Sequence, residues 1–353
     1  MRILDWYIAR IILATTALTL LTLTGLSSII KWVDQLRLIG QGDYQILDAM
    51  LYSFYLIPRD IEMFFPMAVL LGALMGMGVL AQNSELVVMQ AAGLSRLQIV
   101  TSVMKTAVPL MVVIMAMSEW VAPEGERIAL ELRTEKISGG SLIKGLKGTW
   151  AKDGDNFVNI NEVEDIFSLR GVTQYKLDDQ HQLKEVIFAE KAQFNNNYWQ
   201  LENVTHSFFS MDKIEKIEQE TGFWVSSLTP DKLSVVSSNP KSLSISGLLA
   251  YLEYLEVNKQ DPSHYQLALW RKLMQPVIIA VMMLMALSFV FSPIRTSNFG
   301  ARMLIGMAAG FGYFLCSEVF ATASLVFQLP PILGAMAPSV FFTMLAIWLL
   351  KKA

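Results

Sequence analysis

Six long apolar runs constrain the fold of this 353-residue chain more than any other feature of its sequence. They cover approximately residues 11–30, 63–81, 107–122, 273–291, 303–327 and 332–350. Each has close to the roughly 20 residues that an α-helix needs to cross the hydrocarbon core of a bilayer. Only 17% of the chain is charged, a smaller share than soluble domains carry. The sequence therefore predicts a polytopic membrane protein with six transmembrane helices.

The distribution of Lys and Arg predicts the orientation of these helices. Short segments on the same side as the amino terminus carry most of the basic residues that flank the runs, among them Arg10, Arg96 and Lys352. Because cytoplasmic loops of membrane proteins are enriched in Lys and Arg, both termini are expected in the cytoplasm. Arg271 and Lys272, at the opposite end of the fourth run, go against this trend.

The long segment between the third and fourth runs has the pattern of an all-β domain. Short runs rich in β-branched and aromatic residues predict five strands, and turn sequences at 178–182 and 195–197 separate neighbouring runs. The predicted strands are 156–163, 171–177, 183–189, 198–204 and 222–228. Strands of this length and spacing suggest an antiparallel sandwich or an open roll. The expected domains are three membrane helices in residues 1–122, an outer β domain with flanking helices in 123–265, and three membrane helices in 266–353. The acidic composition of the outer domain, without a basic stripe, argues against a nucleic-acid partner.

A polar stretch at about residues 82–98 separates the second and third runs. Ser84 is a candidate N-cap and Gly93 a candidate C-terminal stop for a short amphipathic helix. Such a helix, carrying Glu85 and Arg96, suits docking into a groove of another protein. A connector lying on the lipid interface explains the same residues equally well.

Glycine motifs inside the runs suggest close helix packing, and the acidic residues at or within the runs do not favour ion transport. Gly72 and Gly76, and likewise Gly306 and Gly310, form GxxxG motifs that let helices approach closely, within the chain or with a second subunit. Glu119 and Glu318 lie at or within runs, but the sequence offers them no evident partners. Coupling to an ion is therefore not favoured.

The sequence contains no motif for nucleotide binding, metal binding or hydrolysis. Its three histidines lack metal-ligand spacing, and its single cysteine, Cys316, lies in the fifth run. We therefore expect no enzymatic activity, metal or cofactor in this chain. Energy for any uphill transport would arrive from another subunit, at the 82–98 stretch.

Five segments resemble the permease subunits of the lipopolysaccharide exporter, the LptF/LptG permease family, and are more similar to its G branch than to its F branch. These segments are Ser84–Gly93, Phe65–Gly76, Glu119–Glu126, Trp150–Gly154 and Gln275–Ser288. The resemblance implies a protein of the bacterial inner membrane that extracts lipopolysaccharide from the outer leaflet. A periplasmic β-jellyroll would then pass the lipid to a protein bridge leading to the outer membrane.

The same resemblance implies a set of partners. The chain would pair with its LptF paralogue and sit on a cytoplasmic ATPase dimer (LptB), which binds the ATP and Mg. The membrane-anchored bridge protein LptC and the periplasmic LptA would receive the lipid.

Site residues also follow from the resemblance. The short helix would contact the ATPase through polar Glu85 and apolar Leu86, Met89 and Leu94, with Arg96 close by. Lys31, Arg37 and Arg133 match or resemble basic positions that meet the phosphates of the lipid, and Arg127 and Arg271 are added from their location. Leu38 and Leu130 stand where the family often has further basic residues, so headgroup contacts are expected to be fewer or displaced. For Lys31, anchoring at the membrane interface is the alternative explanation.

The substrate chemistry demands an apolar route. An acyl chain of about a dozen methylenes would cost roughly 10 kcal/mol to expose to water, at about 0.8 kcal/mol per methylene. Side chains that qualify as a lining of the β domain, or equally as its closed core, are Phe157, Ile160, Val172, Tyr175, Val186, Phe188 and Trp199.

Two other classes of function remain compatible with the residues. A lipoprotein-release or cell-division type ABC permease would also couple to an ATPase, but would usually have four spans. A membrane scaffold that transports nothing would need no ATPase partner.

Overall fold

The computed structural model describes residues 3–138, 149–154, 156–165, 167–178, 182–195, 198–209, 213–226, 228–230, 240–291 and 299–352. The chain divides into two compact units. The first, the helical unit, comprises Met1–Asp34, Ser53–Glu126 and Gln266–Ala353. The second, the sheet unit, comprises Gln35–Tyr52 and Arg127–Tyr265.

The helices agree closely with the apolar runs. They are α1 Ile3–Gln35, α2 Ile46–Tyr55, α3 Ile57–Gln82, α4 Glu85–Ala91, α5 Arg96–Ala116, α6 Ala122–Ser138, α7 Ile245–Val257, α8 Ser263–Leu273, α9 Gln275–Phe291, α10 Phe299–Val326 and α11 Pro331–Lys352. A π-helical segment, Met117–Val121, joins α5 to α6.

Five described helical stretches are long and apolar enough to cross a membrane: Ile3–Leu38, Ile57–Gln82, Arg96–Ile137, Met303–Val326 and Pro331–Lys352. A sixth candidate is the pair α8 and α9, which is bent by 51°. Pro276 follows the break directly, and its missing N–H and fixed φ suit the first turn of a helix. With the bent pair taken as one span, the six predicted transmembrane helices are confirmed.

The core of the helical unit forms around α3 and α9. Of the most apolar window of α3, 61% is buried, and α9 contacts α3, α5 and α11. Fully buried side chains such as Leu70, Met77 and Ile99 fill this core. In contrast, only 22% of the corresponding window is buried in the first candidate span and 17% in α10. These two helices therefore present most of their apolar surface outward.

Both glycine pairs lie at helix–helix contacts inside the helical unit. A Cβ on Gly72 would collide with the backbone of Thr16 in α1, and one on Gly76 would lie 3.0 Å from Thr15 Oγ1. The Thr15 hydroxyl also donates to the Gly72 carbonyl at 2.7 Å, a contact that such close approach permits. In α10, a Cβ on Gly306 would collide with Leu74 of α3.

The described strands form one antiparallel sheet. They are β1 Thr149–Asp153, β2 Asn156–Asp165, β3 Ser168–Leu177, β4 Leu183–Asn195, β5 Tyr198–Phe209 and β6 Ile214–Trp224. Each strand pairs with the next in sequence order, which makes the sheet a six-stranded meander. The predicted antiparallel all-β insertion between the third and fourth spans is confirmed.

The buried positions change parity midway along the central strands. Ile187 and Ala189 are buried in the first half of β4, whereas Ala192 is buried in the second half. Positive φ values at Gly171 in β3 and at Asn203 in β5 mark the same region. The strand register continues unchanged through these positions, so the change of parity means that opposite faces of the sheet are buried on the two sides.

The register corrects the proposed apolar lining. Ile160 pairs with Val172 on a fully buried face. Phe157 pairs with Tyr175 on the opposite face, where Phe157 is 42% exposed. Val186 and Phe188 share that second face, and Trp199 is buried against Phe194 and Trp224. The seven side chains therefore cannot all line one surface.

Hydrogen bonds join the end of helix α7 to β1 and to the turn that follows β1. The Tyr254 hydroxyl donates to the Lys152 carbonyl at 2.7 Å, and Asn258 Oδ1 accepts the Gly154 N–H at 2.7 Å. Burial raises the pKa of Tyr254 to about 12, so its hydroxyl stays a donor at neutral pH. Ser244 caps the start of α7, because its hydroxyl accepts the Gly247 N–H.

Candidate functional site

Helix α4 occupies the polar stretch between two membrane spans. Ser84 precedes it in a left-handed conformation with φ of 60° and no side-chain cap, so the expected capping role of Ser84 is wrong. Gly93 ends the helix as predicted, with φ of 94°. The Leu94 N–H reaches the Met89 carbonyl at 3.2 Å and the Gly93 N–H the Gln90 carbonyl at 3.0 Å, the pair of bonds of a Schellman motif.

The next helix, α5, begins with a capping box that sequence reasoning missed. Ser95 Oγ accepts the Gln98 N–H at 3.3 Å, and the Gln98 side chain accepts the Ser95 N–H at 3.0 Å. The pattern Ser-x-x-Gln before an apolar run is the sequence signature from which this capping box could have been predicted. Arg96, the first residue of α5, is exposed.

The apolar side of α4 faces the chain itself. Leu86 and Met89 are 6% and 8% exposed and belong to the core of the helical unit, and Leu94 packs against that core. The predicted contact of Leu86, Met89 and Leu94 with an ATPase stays a prediction; in this chain the three side chains pack on the core of the helical unit. Val87 and Val88, at 66% and 65% exposed, are the exposed large apolar side chains of α4.

The start of α1 is tied to both α4 and α5. The Tyr7 hydroxyl donates to Glu85 Oε2 at 2.9 Å. Asp5 is buried and accepts hydrogen bonds from Ser102 and, at 3.0 Å, from Lys105. Glu85, at the start of α4, thus contacts the first turns of α1.

Lys31 of α1 is paired with a buried carboxylate of α3. Its ammonium contacts Asp60, which is 2% exposed and also accepts the Ser27 hydroxyl at 3.0 Å. The Lys31 side chain itself is 32% exposed. An ammonium has three donors, so this geometry leaves Lys31 able to meet an anion while it is held by Asp60.

A polar cluster that sequence reasoning missed surrounds the bend between α8 and α9; we call Lys272, Glu62, Ser118 and Gln275 the hinge cluster. Lys272 Nζ lies 3.3 Å from Glu62 Oε1 and donates to the Ser118 carbonyl at 3.1 Å. Glu62 Oε1 also accepts the Ser118 hydroxyl at 2.7 Å and the Gln275 amide at 2.9 Å. Ser118 lies in the π-helical segment, a kind of distortion that often marks functional positions.

Further ion pairs connect helices of the same unit. Arg59 of α3 binds Glu126 of α6. Arg271 Nη2 donates to Glu318 Oε2 at 2.9 Å and to the Ser317 hydroxyl at 3.3 Å. Glu318 is therefore not the isolated carboxylate that the sequence suggested. The sequence did indicate this region, because Arg271 and Lys272 go against the distribution of Lys and Arg that predicts the orientation of the helices.

The remaining predicted headgroup residues lie in the sheet unit. Arg37 is exposed in a 3₁₀ turn, Leu36–Leu38. Arg127 pairs with Glu131 one turn further along α6, and the Arg133 guanidinium lies 5.7 Å from the centre of the Tyr52 ring. Lys31 and Arg271 belong to the helical unit. Within the described ranges, no group of three or more His, Cys, Asp or Glu side chains has the geometry of a metal site.

Comparison with known proteins decides the family. The family model described as "Lipopolysaccharide export system permease LptF/LptG" matches residues 6–352, which includes every span and the sheet. The chain belongs to the LptF/LptG permease family. The resemblance seen in the sequence motifs is thereby confirmed, and the chain is a multi-pass membrane permease of this family.

Several curated relatives are members of the G branch. The chain is 46% identical over 353 residues to the lipopolysaccharide export system permease protein LptG of Escherichia coli strain K12, covering 99% of this chain and 98% of the relative. The LptG protein of E. coli O6:H1 strain CFT073 gives the same values. That of Haemophilus influenzae is 44% identical over 351 residues, with 99% and 98% coverage.

Proposed function

We propose that this chain is the G-type permease subunit of an ATP-driven exporter that extracts lipopolysaccharide from the outer leaflet of the inner membrane. The carrying observation is that the LptF/LptG family match extends through both the helical unit and the sheet unit, at 46% identity to LptG relatives. The sheet unit would pass the lipid to a periplasmic bridge. The lipoprotein-release and cell-division classes lose their support, because neither accounts for this match.

The proposed partners are an LptF-type permease, a cytoplasmic LptB-type ATPase dimer that holds ATP and Mg, and the bridge proteins LptC and LptA. The need for a separate ATPase is supported by the lack of a nucleotide-binding motif in the sequence. Exposed Val87 and Val88 beside Glu85 supply an apolar and a charged contact for such a partner.

The proposed orientation has both termini and α4 in the cytoplasm and the sheet unit in the periplasm. The excess of Lys and Arg in the short segments on the α4 side supports it. Each chain end and α4 then lie where an ATPase can reach them.

Headgroup phosphates would meet Lys31 and Arg271 in the helical unit, and Arg37, Arg127 and Arg133 in the sheet unit. Charge-assisted contacts of this kind are stronger than neutral hydrogen bonds. Because Lys31 and Arg271 already have carboxylate partners, a phosphate must either join each pair or displace the carboxylate.

The acyl chains need an apolar path along the sheet unit. The face that carries Phe157, Tyr175, Val186 and Phe188 is the better candidate, because Phe157 and Phe188 are 42% and 41% exposed. Trp150 extends this surface by stacking on Tyr175, with ring centroids 5.4 Å apart. Ile160 and Val172 are fully buried on the other face and serve the core.

Reconstitution tests the proposal. The chain, its paralogue and the ATPase dimer are placed in vesicles with lipopolysaccharide, and transfer to the soluble bridge protein is followed by photocrosslinking. We expect transfer that requires ATP and stops when this chain is omitted. Transfer of a lipoprotein instead, or a chain that never retains the ATPase, would overturn the proposal and favour one of the other two classes.

A further inference from the structure

Two adjacent cations of α8 bind carboxylates on two different helices. Lys272 binds Glu62 of α3, and Arg271 binds Glu318 of α10. Neighbouring residues of an α-helix point about 100° apart, so the two side chains reach different neighbours. Helix α8 therefore connects the most buried candidate span to the least buried one.

The two ion pairs differ in burial. The side chains of Lys272 and Glu62 are 6% and 13% exposed, and Ser118 and Gln275 add hydrogen bonds to Glu62. The side chains of Arg271 and Glu318 are 26% and 43% exposed. A ligand can reach an ion pair whose side chains are partly exposed, whereas separating a buried pair leaves a costly uncompensated charge. The α10 side of the connection is the side that can open.

Little else holds the carboxyl-terminal half of α10 to α8. The described apolar contact there is a small cluster of Leu267, Ala321 and Ala335, with Trp270 and Met274 packed against it. The glycines that lock α10 onto α3 lie in its amino-terminal half, at Gly306 and Gly310. Loss of the Arg271–Glu318 pair therefore removes a large part of the attachment of this half of the helix to α8, while its packing against α11 at Gly334 remains.

The guanidinium of Arg271 is suited to exchange its partner. Both of its hydrogen bonds within the described residues are made by Nη2, while the planar group carries five N–H donors. A phosphate offers more negative charge than a carboxylate and matches the guanidinium fork in two parallel bonds.

We propose that Arg271 and Glu318 form a latch, which a phosphate-bearing headgroup opens by taking Arg271 from Glu318 and so freeing the carboxyl-terminal half of α10 from α8. The proposal rests on the proposed function for the identity of the anion. It assigns Glu318 the role of a positioning residue, which acts through Arg271 and does not touch the substrate.

The single cysteine of the chain provides the readout. Cys316 lies two residues before Glu318, is partly buried, and packs against the core of the helical unit. In the assembled exporter in vesicles, the rate at which a maleimide mass tag modifies Cys316 of this chain reports release of α10. Lipopolysaccharide is expected to raise that rate about two- to fivefold, as loss of a direct side-chain interaction at the weak end of the usual range would produce.

Variants distinguish opening of the latch from a general loosening of the helix packing. Glu318→Gln and Arg271→Gln are each expected to label at the fast rate without lipid, and lipid should then add little. The exchange of both charges, Arg271→Glu with Glu318→Arg, should restore slow labelling. Ser317→Ala is the matched control, because it removes only the longer contact of Arg271 and should label as the unchanged chain does.

Three phosphate sources identify the anion: inorganic phosphate, phosphatidylglycerol vesicles and lipopolysaccharide. Acceleration by any of them that disappears in Arg271→Gln supports the latch and shows which source opens it. Acceleration that persists in Arg271→Gln, or none from any source, overturns the latch. An exporter that transfers lipopolysaccharide without a change at Cys316 would keep the proposed function and reject the latch alone. A working latch without lipopolysaccharide transfer would reject the proposed function alone.

Discussion

Lys272 illustrates how single residues set the properties of the helical unit. It is 5% exposed in the interior of the bundle, and it stays there because Glu62 balances its charge and the Ser118 carbonyl accepts a hydrogen bond from its ammonium. An ionisable group inside a membrane protein is costly unless it is paired, and such groups concentrate at functional positions. The hinge cluster therefore stabilises one geometry of the α8–α9 bend.

Removal of one partner of the Lys272–Glu62 pair should destabilise the chain strongly. For Glu62→Gln we expect a loss of about 3 kcal/mol, because the ammonium loses its countercharge while it remains buried. The thermal denaturation midpoint of the purified chain in detergent measures it. The double variant Lys272→Met/Glu62→Gln should lose less than the two single changes together. Glu131→Gln, from the exposed pair with Arg127, is the control, and an equal loss there would contradict the argument.

Glu185 should make the stability of the sheet unit depend on pH. Burial raises the pKa of its carboxyl, but hydrogen bonds from His206 and Lys176 lower it more, so the pKa lies below the ordinary value of 4.5. A lowered carboxyl pKa stabilises the fold above the unfolded value, and that contribution is lost as the pH falls through the folded pKa.

The test compares amide hydrogen exchange of β4 and β5 in the full chain for Glu185→Gln and the original residue. Protection should be lower in the variant at pH 7, and the difference should shrink as the pH falls below about 4.5. Glu202→Gln, an exposed change on β5, should show no pH-dependent difference. A gap that stays constant down to acidic pH would contradict the assignment.

At the scale of elements, the sequence predicts the helices and strands whose own residues have the length or composition typical of that element. The six spans follow from hydrophobic length alone, and β2 to β5 from β-branched and aromatic content. Most of β6 was missed, because the charged, alternating run Ile214–Glu220 is exposed on both faces and resembles a loop. The burial of Leu86 and Met89 was also missed, because an amphipathic pattern shows which face is apolar but not what covers it.

The close contact between α1 and α3 should be intolerant of even one methyl group. In Gly72→Ala the new Cβ meets the Thr16 backbone, which cannot rotate away, so α1 must move outward. Overpacking of this kind costs about 1–3 kcal/mol. The denaturation midpoint in detergent should fall, whereas Gly25→Ala, with open space around its Cβ, should show no loss. Equal midpoints for the two variants would show that α1 is not held here.

Substitutions on the two faces of α4 should have different effects, one on docking of the ATPase and the other on stability of the fold. Val87→Asp is expected to reduce the ATPase that co-purifies with the chain while the thermal midpoint stays unchanged, because Val87 is exposed. Met89→Ala should lower the midpoint, since truncation of a buried Met costs about 2–5 kcal/mol. If Val87→Asp retains the full ATPase complement, the exposed face of α4 is not the docking surface.

At the scale of the whole molecule, the six apolar runs and the β-rich segment between the third and fourth predicted a helical bundle and an inserted sheet, and the structure has both. The partners inside the bundle were beyond the sequence, because Lys31 and Asp60, or Arg271 and Glu318, are 29 and 47 residues apart. Pairing over such separations depends on which helices are neighbours, and hydrophobic periodicity does not specify that. The glycine motifs indicated close contacts but not that both pairs involve α3.

The orientation of the entire chain can be tested with single cysteines in a background where Cys316 is replaced by Ala. Lys216, in β6, has a 60% exposed side chain, and Ser95 is exposed beside α4. In spheroplasts, an impermeant maleimide should label Lys216→Cys directly and Ser95→Cys only after the membrane is permeabilised. This follows because the two sites lie on opposite sides of an odd number of predicted spans, with the basic segments on the side of Ser95. Direct labelling of Ser95→Cys would place α4 where no cytoplasmic ATPase reaches it, and coupling through α4 would then be impossible.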